Sequence, residues 1–158
     1  YIVREAFDDA DDRRLIATTN WSVSQIAFIG ADVSSRSMRE DDSKSASLYR
    51  HCVRLTNYQN PYDSILKLSN IKRVGVAPRT GRVGLPGSAS PKAINVNCGE
   101  HFQTLSEPTN PHGAWSHSWH FHDNTIIKDL VYTIEGDIDR YYIPTRRRRG
   151  DDLFLTAI

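Results

Sequence analysis

The chain has 158 residues, of which 39% are apolar and 25% charged, a composition that fits one folded domain and excludes a disordered protein. The 20 Lys and Arg residues balance 19 Asp and Glu residues, which argues against a dedicated nucleic-acid-binding protein. No apolar run reaches the ~20 residues that cross a bilayer, so we expect a soluble chain without a membrane span.

The first predicted elements are a helix and a strand. Apolar side chains at helical spacing predict a helix over residues 1–16. Residues 25–31 form a nearly continuous apolar run, which is typical of a strand buried on both faces of a parallel sheet. The polar stretch from 34 to 44 predicts an exposed loop, and a short helix is expected over 46–51.

The middle of the chain continues the alternation. Residues 52–58 predict a second strand, and Pro61 favours the start of a helix directly after it. Four glycines and three prolines between residues 74 and 92 predict a long loop. Residues 93–98 form the third predicted strand.

The end of the chain combines a helix with a basic tail. An apolar face from Ile126 to Ile134 predicts a last helix that begins at Asn124 and ends at Gly136. The four arginines at 146–149 are expected in a solvated extension, residues 144–158, beyond a domain that covers residues 1–143.

This order of elements predicts the fold class. Strands that alternate with helices indicate an α/β fold, with a mostly parallel sheet of about three strands flanked by helices. Three strands are few for a doubly wound domain, so we expect the sheet to expose an edge. The two cysteines, Cys52 and Cys98, lie in apolar strand-like runs and are predicted to be buried free thiols. Neither thiol decides the cellular compartment.

An acid and a histidine stand where such folds place their sites. Asp63 follows the second predicted strand, and His117 precedes the last helix. An acid followed by a histidine is the order of two members of a Ser-His-Asp triad. No glycine in the chain has a serine two residues after it, so the G-x-S-x-G turn of a nucleophile is absent from this sequence. Taken alone, Asp63 would equally favour a helix start, and His117 would be a polar loop residue.

Several segments together resemble a bacterial family of α/β-hydrolases of unknown function within the esterase/lipase-like superfamily. Residues 57–69 resemble its D-x-x-L-x-x-S region, residues 79–86 its glycine-rich loop, and residues 116–119 its G-H-S-Y histidine motif. Residues 27–33 resemble the preceding strand, and residues 1–4 resemble the helix that directly follows its G-H-S-M-G-N elbow. The order and spacing of these segments carry the resemblance over most of residues 1–137.

The resemblance implies the C-terminal half of an α/β-hydrolase fold that begins just after the nucleophile elbow. It implies a serine hydrolase of small-molecule carboxylic esters that needs no cofactor, with His117 as the catalytic base and Asp63 as its acidic partner. The serine would lie just before Tyr1 and is absent, and Ser116 stands where the family has glycine. We therefore expect the chain alone to be inactive, because loss of the triad serine costs on the order of a million-fold in rate.

Several alternatives stay open at this stage. Asp32, which follows the first predicted strand, is a rival for the acid. Cys98 with His101 suggests a cysteine hydrolase, although a thiol at the end of a buried strand is expected to be inert. The chain also fits a non-catalytic module that forms a homo-oligomer, or pairs with a missing N-terminal half, to cover its open sheet edge.

A histidine cluster near residue 117 gives a further alternative. Imidazoles together with a carboxylate can bind zinc, which would make the chain a metal-dependent hydrolase. The spacing matches no standard ligand pattern, so we assign no metal ligand. The cluster consists of His112, His117, His120, His122 and Asp123.

Overall fold

The computed structural model describes residues 2–12, 22–71, 77–109 and 114–157. The helices are α1 (Ile2–Asp12), α2 (Ala46–His51), α3 (Ser64–Ile71), α4 (Thr80–Val83), α5 (Gly99–Thr104), α6 (Trp115–Ser118) and α7 (Asn124–Glu135). The strands are β1 (Val23–Ile29), β2 (Cys52–Gln59), β3 (Ala93–Asn97), β4 (Arg146–Arg149) and β5 (Asp152–Leu155). Within these ranges, no helix has the length and apolar character needed to cross a membrane.

The five strands form one sheet in the order β1-β2-β3-β5-β4. The pairs β1–β2, β2–β3 and β3–β5 are parallel, and β4 pairs with β5 antiparallel. The α/β class and the mostly parallel sheet are thus confirmed. The expected count of about three strands is wrong, because β4 and β5 lie within residues 144–158, which the sequence predicts to be a solvated extension. A run of four arginines carries no apolar pattern from which a strand could be predicted.

Arg146 explains why the arginine run joins the sheet. Its guanidinium is fully buried and binds the buried carboxylate of Asp129, with Nε 2.9 Å from Oδ2. The Tyr58 hydroxyl donates to the same carboxylate at 2.6 Å, as does the Thr145 hydroxyl. Burial is tolerated here because the charge is paired and every carboxylate oxygen is hydrogen-bonded. The remaining arginines are partly exposed and also have partners: Arg147 and Arg149 bind Glu100, and Arg148 lies 3.6 Å from Asp151.

The sheet buries apolar side chains on both faces. Phe28 and Leu55 pack on one face with Leu48 of α2, and Tyr58 and Val96 pack on the other with Ile126 of α7. This separation follows from the alternation of side chains along a strand. Both cysteines are buried free thiols, as predicted.

Other element predictions differ in detail. The stretch from 34 to 44 is not a fully exposed loop, since it contains short 3-10 turns and Met38 is completely buried. The Tyr49 hydroxyl donates to the Met38 carbonyl at 2.7 Å, which fixes this stretch on α2. A short helix, α4, interrupts the predicted loop of residues 74–92. Helix α1 is described as far as Asp12, and the remainder of its predicted length lies outside the described residues.

Candidate active site

The candidate site lies where β1, β2 and β3 end. Gly30 follows β1, Asn60 and Asp63 follow β2, and Cys98 follows β3. These residues and His117 of α6 line a small cleft with a free volume of about 10 Å³, enough for about one water molecule. The carboxyl edge of a parallel sheet is the usual position of a site in this fold class.

His117 and Asp63 are in direct contact in this cleft. The distance from His117 Nδ1 to Asp63 Oδ2 is 2.7 Å. The Asp63 side chain is 2% exposed, whereas the His117 side chain is 37% exposed. The structure therefore brings together the two residues that the sequence singled out, which are 54 positions apart.

Asp63 has two tasks at once. Its Oδ1 accepts the backbone N–H of Leu66 at 2.9 Å, so Asp63 caps the amino end of α3. Its Oδ2 remains available for His117. The helix therefore begins at Ser64 rather than at Pro61. The helix-start role and the pairing role are both present and use different oxygens.

The contact selects one tautomer of His117. A carboxylate accepts hydrogen bonds, so in the neutral imidazole Nδ1 is the donor in this contact and Nε2 is the acceptor nitrogen. Among the described residues, none forms a hydrogen bond with Nε2. A half-exposed ring with an acceptor nitrogen can take a proton from a group that enters the cleft.

Gly30 makes room for the His117 ring. A Cβ atom at residue 30 would lie 3.0 Å from His117 Cε1, and the backbone there has φ +55°. Both the space and the left-handed conformation require glycine. The close approach places the ring edge over the end of β1.

Ser116, directly before His117, is hydrogen-bonded within the site. Its hydroxyl lies 2.6 Å from the Ser64 hydroxyl and accepts the Ser64 backbone N–H at 3.1 Å. The residue before His117 is thereby tied to the first turn of α3, the helix that Asp63 caps. A glycine at 116 would lack this tie.

Asp32, the rival acid, is placed elsewhere. Its Oδ1 lies 2.8 Å from Nε of the buried Arg79 and accepts the Ser69 hydroxyl at 3.1 Å. Its side chain is 51% exposed and has no contact with His117 among the described residues. The geometry favours Asp63 as the partner of His117.

The histidine cluster does not converge on one point. His112 lies outside the described residues. His122 stacks on Trp115 at 6.4 Å, and Asp123 binds His101 instead. In the described parts of the chain, no group of three His, Cys, Asp or Glu side chains is arranged to hold a metal ion. The metal-dependent alternative gains no support from this arrangement.

His120 is a buried neighbour of the pair. It lines the same cleft and is 8% exposed. Burial, together with the nearby charge of His117, lowers the pKa of His120 to about 4. His120 is therefore neutral near pH 7, and it contributes a wall rather than a charge to the cleft.

His101 and Asp123 form a second, buried pair. His101 Nε2 lies 2.9 Å from Asp123 Oδ1, and the same oxygen accepts the Ile126 N–H at 3.0 Å to cap α7. His101 is thus engaged with Asp123 and not with Cys98. Burial raises the pKa of the Cys98 thiol far above its usual range, so the thiol stays protonated. The cysteine-hydrolase alternative has no geometric basis here.

Asn60 and Arg79 are site residues that sequence reasoning missed. Both have buried side chains, and each binds a candidate segment: Arg79 holds Asp32, and Asn60 donates to the carbonyl of Ser116. One signal was available for Asn60, since it follows a predicted strand at the same edge as Asp63. Nothing in the sequence indicates the pairing of Arg79 with Asp32.

Comparisons of the chain with protein-family models, with curated proteins and with solved structures found no match. The geometry of the site is therefore the basis on which a function can be proposed.

Proposed function

We propose that this chain is part of a serine hydrolase of carboxylic esters, namely the C-terminal half of an α/β-hydrolase domain. The observation that carries the proposal is the 2.7 Å contact between His117 Nδ1 and Asp63 Oδ2. A buried carboxylate that holds Nδ1 of a partly exposed imidazole is the arrangement of a general base with its orienting acid.

The proposed chemistry has two halves. His117 Nε2 takes the proton of a serine hydroxyl as the serine oxygen bonds to the ester carbonyl carbon, and it then returns that proton to the departing alkoxide. The products are an alcohol and an acyl-serine. Water repeats the same transfers through His117 and releases the carboxylic acid. Asp63 stays ionised throughout and stabilises the imidazolium.

The direction of α1 supports a nucleophile just upstream of Tyr1. Near the amino end of α1, Arg4 donates to the Ser37 hydroxyl at 2.8 Å, in the segment that follows β1. Near its carboxyl end, Asp11 binds Arg50 and His51, which directly precede β2. Helix α1 thus runs from the segment after β1 toward the start of β2, opposite to the direction of the strands.

The test adds the missing nucleophile. A polypeptide extended upstream of Tyr1 through a strand and a G-x-S-x-G turn should hydrolyse a p-nitrophenyl ester, and Ser→Ala at that turn should remove the activity. Asp63→Asn should lower kcat by roughly 10⁴-fold, because the imidazole then adopts the wrong tautomer. Asp32→Asn serves as the matched control and should leave kcat within a few-fold. Loss of activity in Asp32→Asn with full activity in Asp63→Asn would refute the assignment of the acid.

A second candidate function is a non-catalytic module that self-associates. It is favoured by an apolar stripe on α7, where Ile127, Val131 and Ile134 are 42%, 48% and 63% exposed. Helix α7 packs against β1, which is an edge strand of the sheet. Exposed apolar stripes and open sheet edges are common docking surfaces.

Sedimentation of the chain over a range of concentrations tests this candidate. A module should form a defined oligomer that Val131→Glu disrupts. Leu68→Glu, at a position on α3 with a similar exposure of 53%, is the control and should leave the oligomer intact. A monomer at every concentration would eliminate this candidate.

A further inference from the structure

Asn60 connects the three segments that form the candidate site. Its backbone N–H donates to the Gly81 carbonyl at 2.8 Å, and its own carbonyl accepts the Asp63 N–H at 3.0 Å. Its side-chain Oδ1 accepts the Tyr62 N–H at 3.1 Å, and Nδ2 donates to the Ser116 carbonyl at 3.0 Å. The side chain is buried, with 6% of the residue exposed.

The bond to Ser116 acts on His117 directly. The carbonyl of Ser116 and the N–H of His117 belong to one planar peptide group. Asn60 holds the carbonyl side of that plane, and the Ala114 carbonyl accepts the His117 N–H at 2.8 Å on the other side. The plane from which the His117 side chain departs is therefore fixed at both ends.

Only an amide fits this position. The side chain must accept from one backbone N–H and donate to one backbone carbonyl, and Asn presents both functions on a short stem. The reverse orientation of the amide would place NH₂ against the Tyr62 N–H and oxygen against the Ser116 carbonyl. Aspartate would keep the acceptor and lose the donor.

We propose that Asn60 is a positioning residue, which sets the distance between His117 Nδ1 and Asp63 Oδ2 by holding the backbone of both residues. This inference rests on the proposed function, in which that contact keeps His117 in the tautomer of a general base. A displacement of about 1 Å at a reacting group can cost roughly 100-fold in rate.

The experiment uses the chain as it is and observes His117 by NMR. In the unchanged protein, we expect a hydrogen-bonded Nδ1–H proton resonance of His117 and a ring ¹⁵N pattern with Nε2 unprotonated. Asp63→Asn should change both signals. Asn60→Asp should abolish the Nδ1–H resonance or mix the two tautomers, because the carboxylate repels the Ser116 carbonyl and frees the His117 turn.

Asn57 provides the matched control. It is also buried, and its Nδ2 donates to the Thr80 carbonyl at 3.0 Å and to Asn95 Oδ1; within the described part of the chain, no hydrogen bond joins it to the His117 turn. Asn57→Asp should lower the melting temperature without changing the His117 resonances. Asn60→Ser is the second variant at the site, since its hydroxyl can still accept the Tyr62 N–H but cannot reach Ser116.

The outcomes separate a failure of the proposed function from a failure of the positioning role of Asn60. If the unchanged protein lacks the Nδ1–H signature, the proposed function loses its carrying observation. If that signature is present and either folded Asn60 variant retains it, the positioning role alone is refuted. If both Asn60 variants unfold while Asn57→Asp folds, Asn60 is a structural residue, and the inference is equally overturned.

Discussion

Two of the three histidine–aspartate pairs among the described residues, His117–Asp63 and His101–Asp123, share a design and differ in what they can do. In each, the aspartate caps a helix: Asp63 caps α3 and Asp123 caps α7. His117 binds its partner through Nδ1 and is 37% exposed, whereas His101 binds through Nε2 and is 6% exposed beside Trp119. A histidine–carboxylate contact therefore does not define a proton-transfer group. The exposure of the histidine ring distinguishes the two pairs.

The largest expected difference between the pairs is in catalysis. In the polypeptide extended through a nucleophile elbow, His117→Ala should reduce ester hydrolysis by roughly 10⁴-fold or more. His101→Gln keeps a hydrogen-bond donor for Asp123 and should leave kcat within a few-fold. Initial rates with a p-nitrophenyl ester measure both variants. Equal losses would mean that the two pairs do not differ as their exposure indicates.

For stability, we expect the His101–Asp123 pair to matter more than the His117–Asp63 pair. Asp123→Ala removes a helix cap and leaves the buried His101 ring without its partner, and we expect the free energy of unfolding to fall by about 2–4 kcal/mol. Asp63→Ala also removes a cap, but the exposed His117 ring can bind water, so the expected loss is about 1 kcal/mol. Urea unfolding of the chain measures the two values. A larger loss for Asp63→Ala would contradict this ranking.

His120, which lies next to Trp119 and lines the His117 cleft, should make stability depend on pH. Burial lowers its pKa from the ordinary 6.5 to about 4, so the folded chain binds this proton less readily than the unfolded chain. The free energy of unfolding therefore does not change with this group above pH 6.5. It falls by about 3 kcal/mol in total as the pH drops from 6.5 to 4, because the unfolded chain binds the proton first. The charged and titratable groups that act on it are His117, Asp63 and His122.

Urea unfolding between pH 4 and 7 checks this dependence. His120→Gln should flatten the fall in stability over that range. An unchanged slope in the variant would assign the acid sensitivity to other groups.

Two glycine substitutions distinguish the strain of a side chain at positive φ from a direct contact with the His117 ring. Gly30→Ala and Gly136→Ala both place a side chain at positive φ, +55° and +73°, and each should destabilise the fold by roughly 1–2 kcal/mol. The new Cβ at 30 meets the His117 ring at 3.0 Å, whereas at 136 it meets the movable end of Gln25 at 2.7 Å. Only Gly30→Ala should shift the ring resonances of His117 in an NMR spectrum. The same shift in Gly136→Ala would show that the effect does not come from the contact.

The elements that depend on interactions between neighbouring residues could be predicted from the sequence, whereas an element that depends on distant partners could not. Helix α7 was predicted with both ends, because its cap Asp123, its apolar face and Gly136 are neighbours in the chain. Strands β1, β2 and β3 were predicted from local apolar runs. Strand β4 was missed, because Arg146 is stabilised by Asp129 and Tyr58, which lie 17 and 88 residues away in the sequence. Strand β5 was missed although Leu153, Phe154 and Leu155 form a short local apolar run.

The candidate site divides in the same way. Asp63 and His117 were singled out because each stands at an element boundary and carries chemistry suited to a triad. The contact between Asp63 and His117, and the ion pair of Asp32 with Arg79, depend on how the ends of three strands meet. No local pattern contains that information.

The sequence by itself determined the α/β class, the first three strands and the two residues of the proposed acid–base pair, since these depend on periodicity and residue type over short stretches. The tertiary structure alone decided which of the two histidine rings stays partly exposed. It also decided which carboxylate is free to bind that histidine and which side chain holds the two together. The physical reason is that burial and hydrogen bonding across 54 residues are properties of packed segments, not of any one segment.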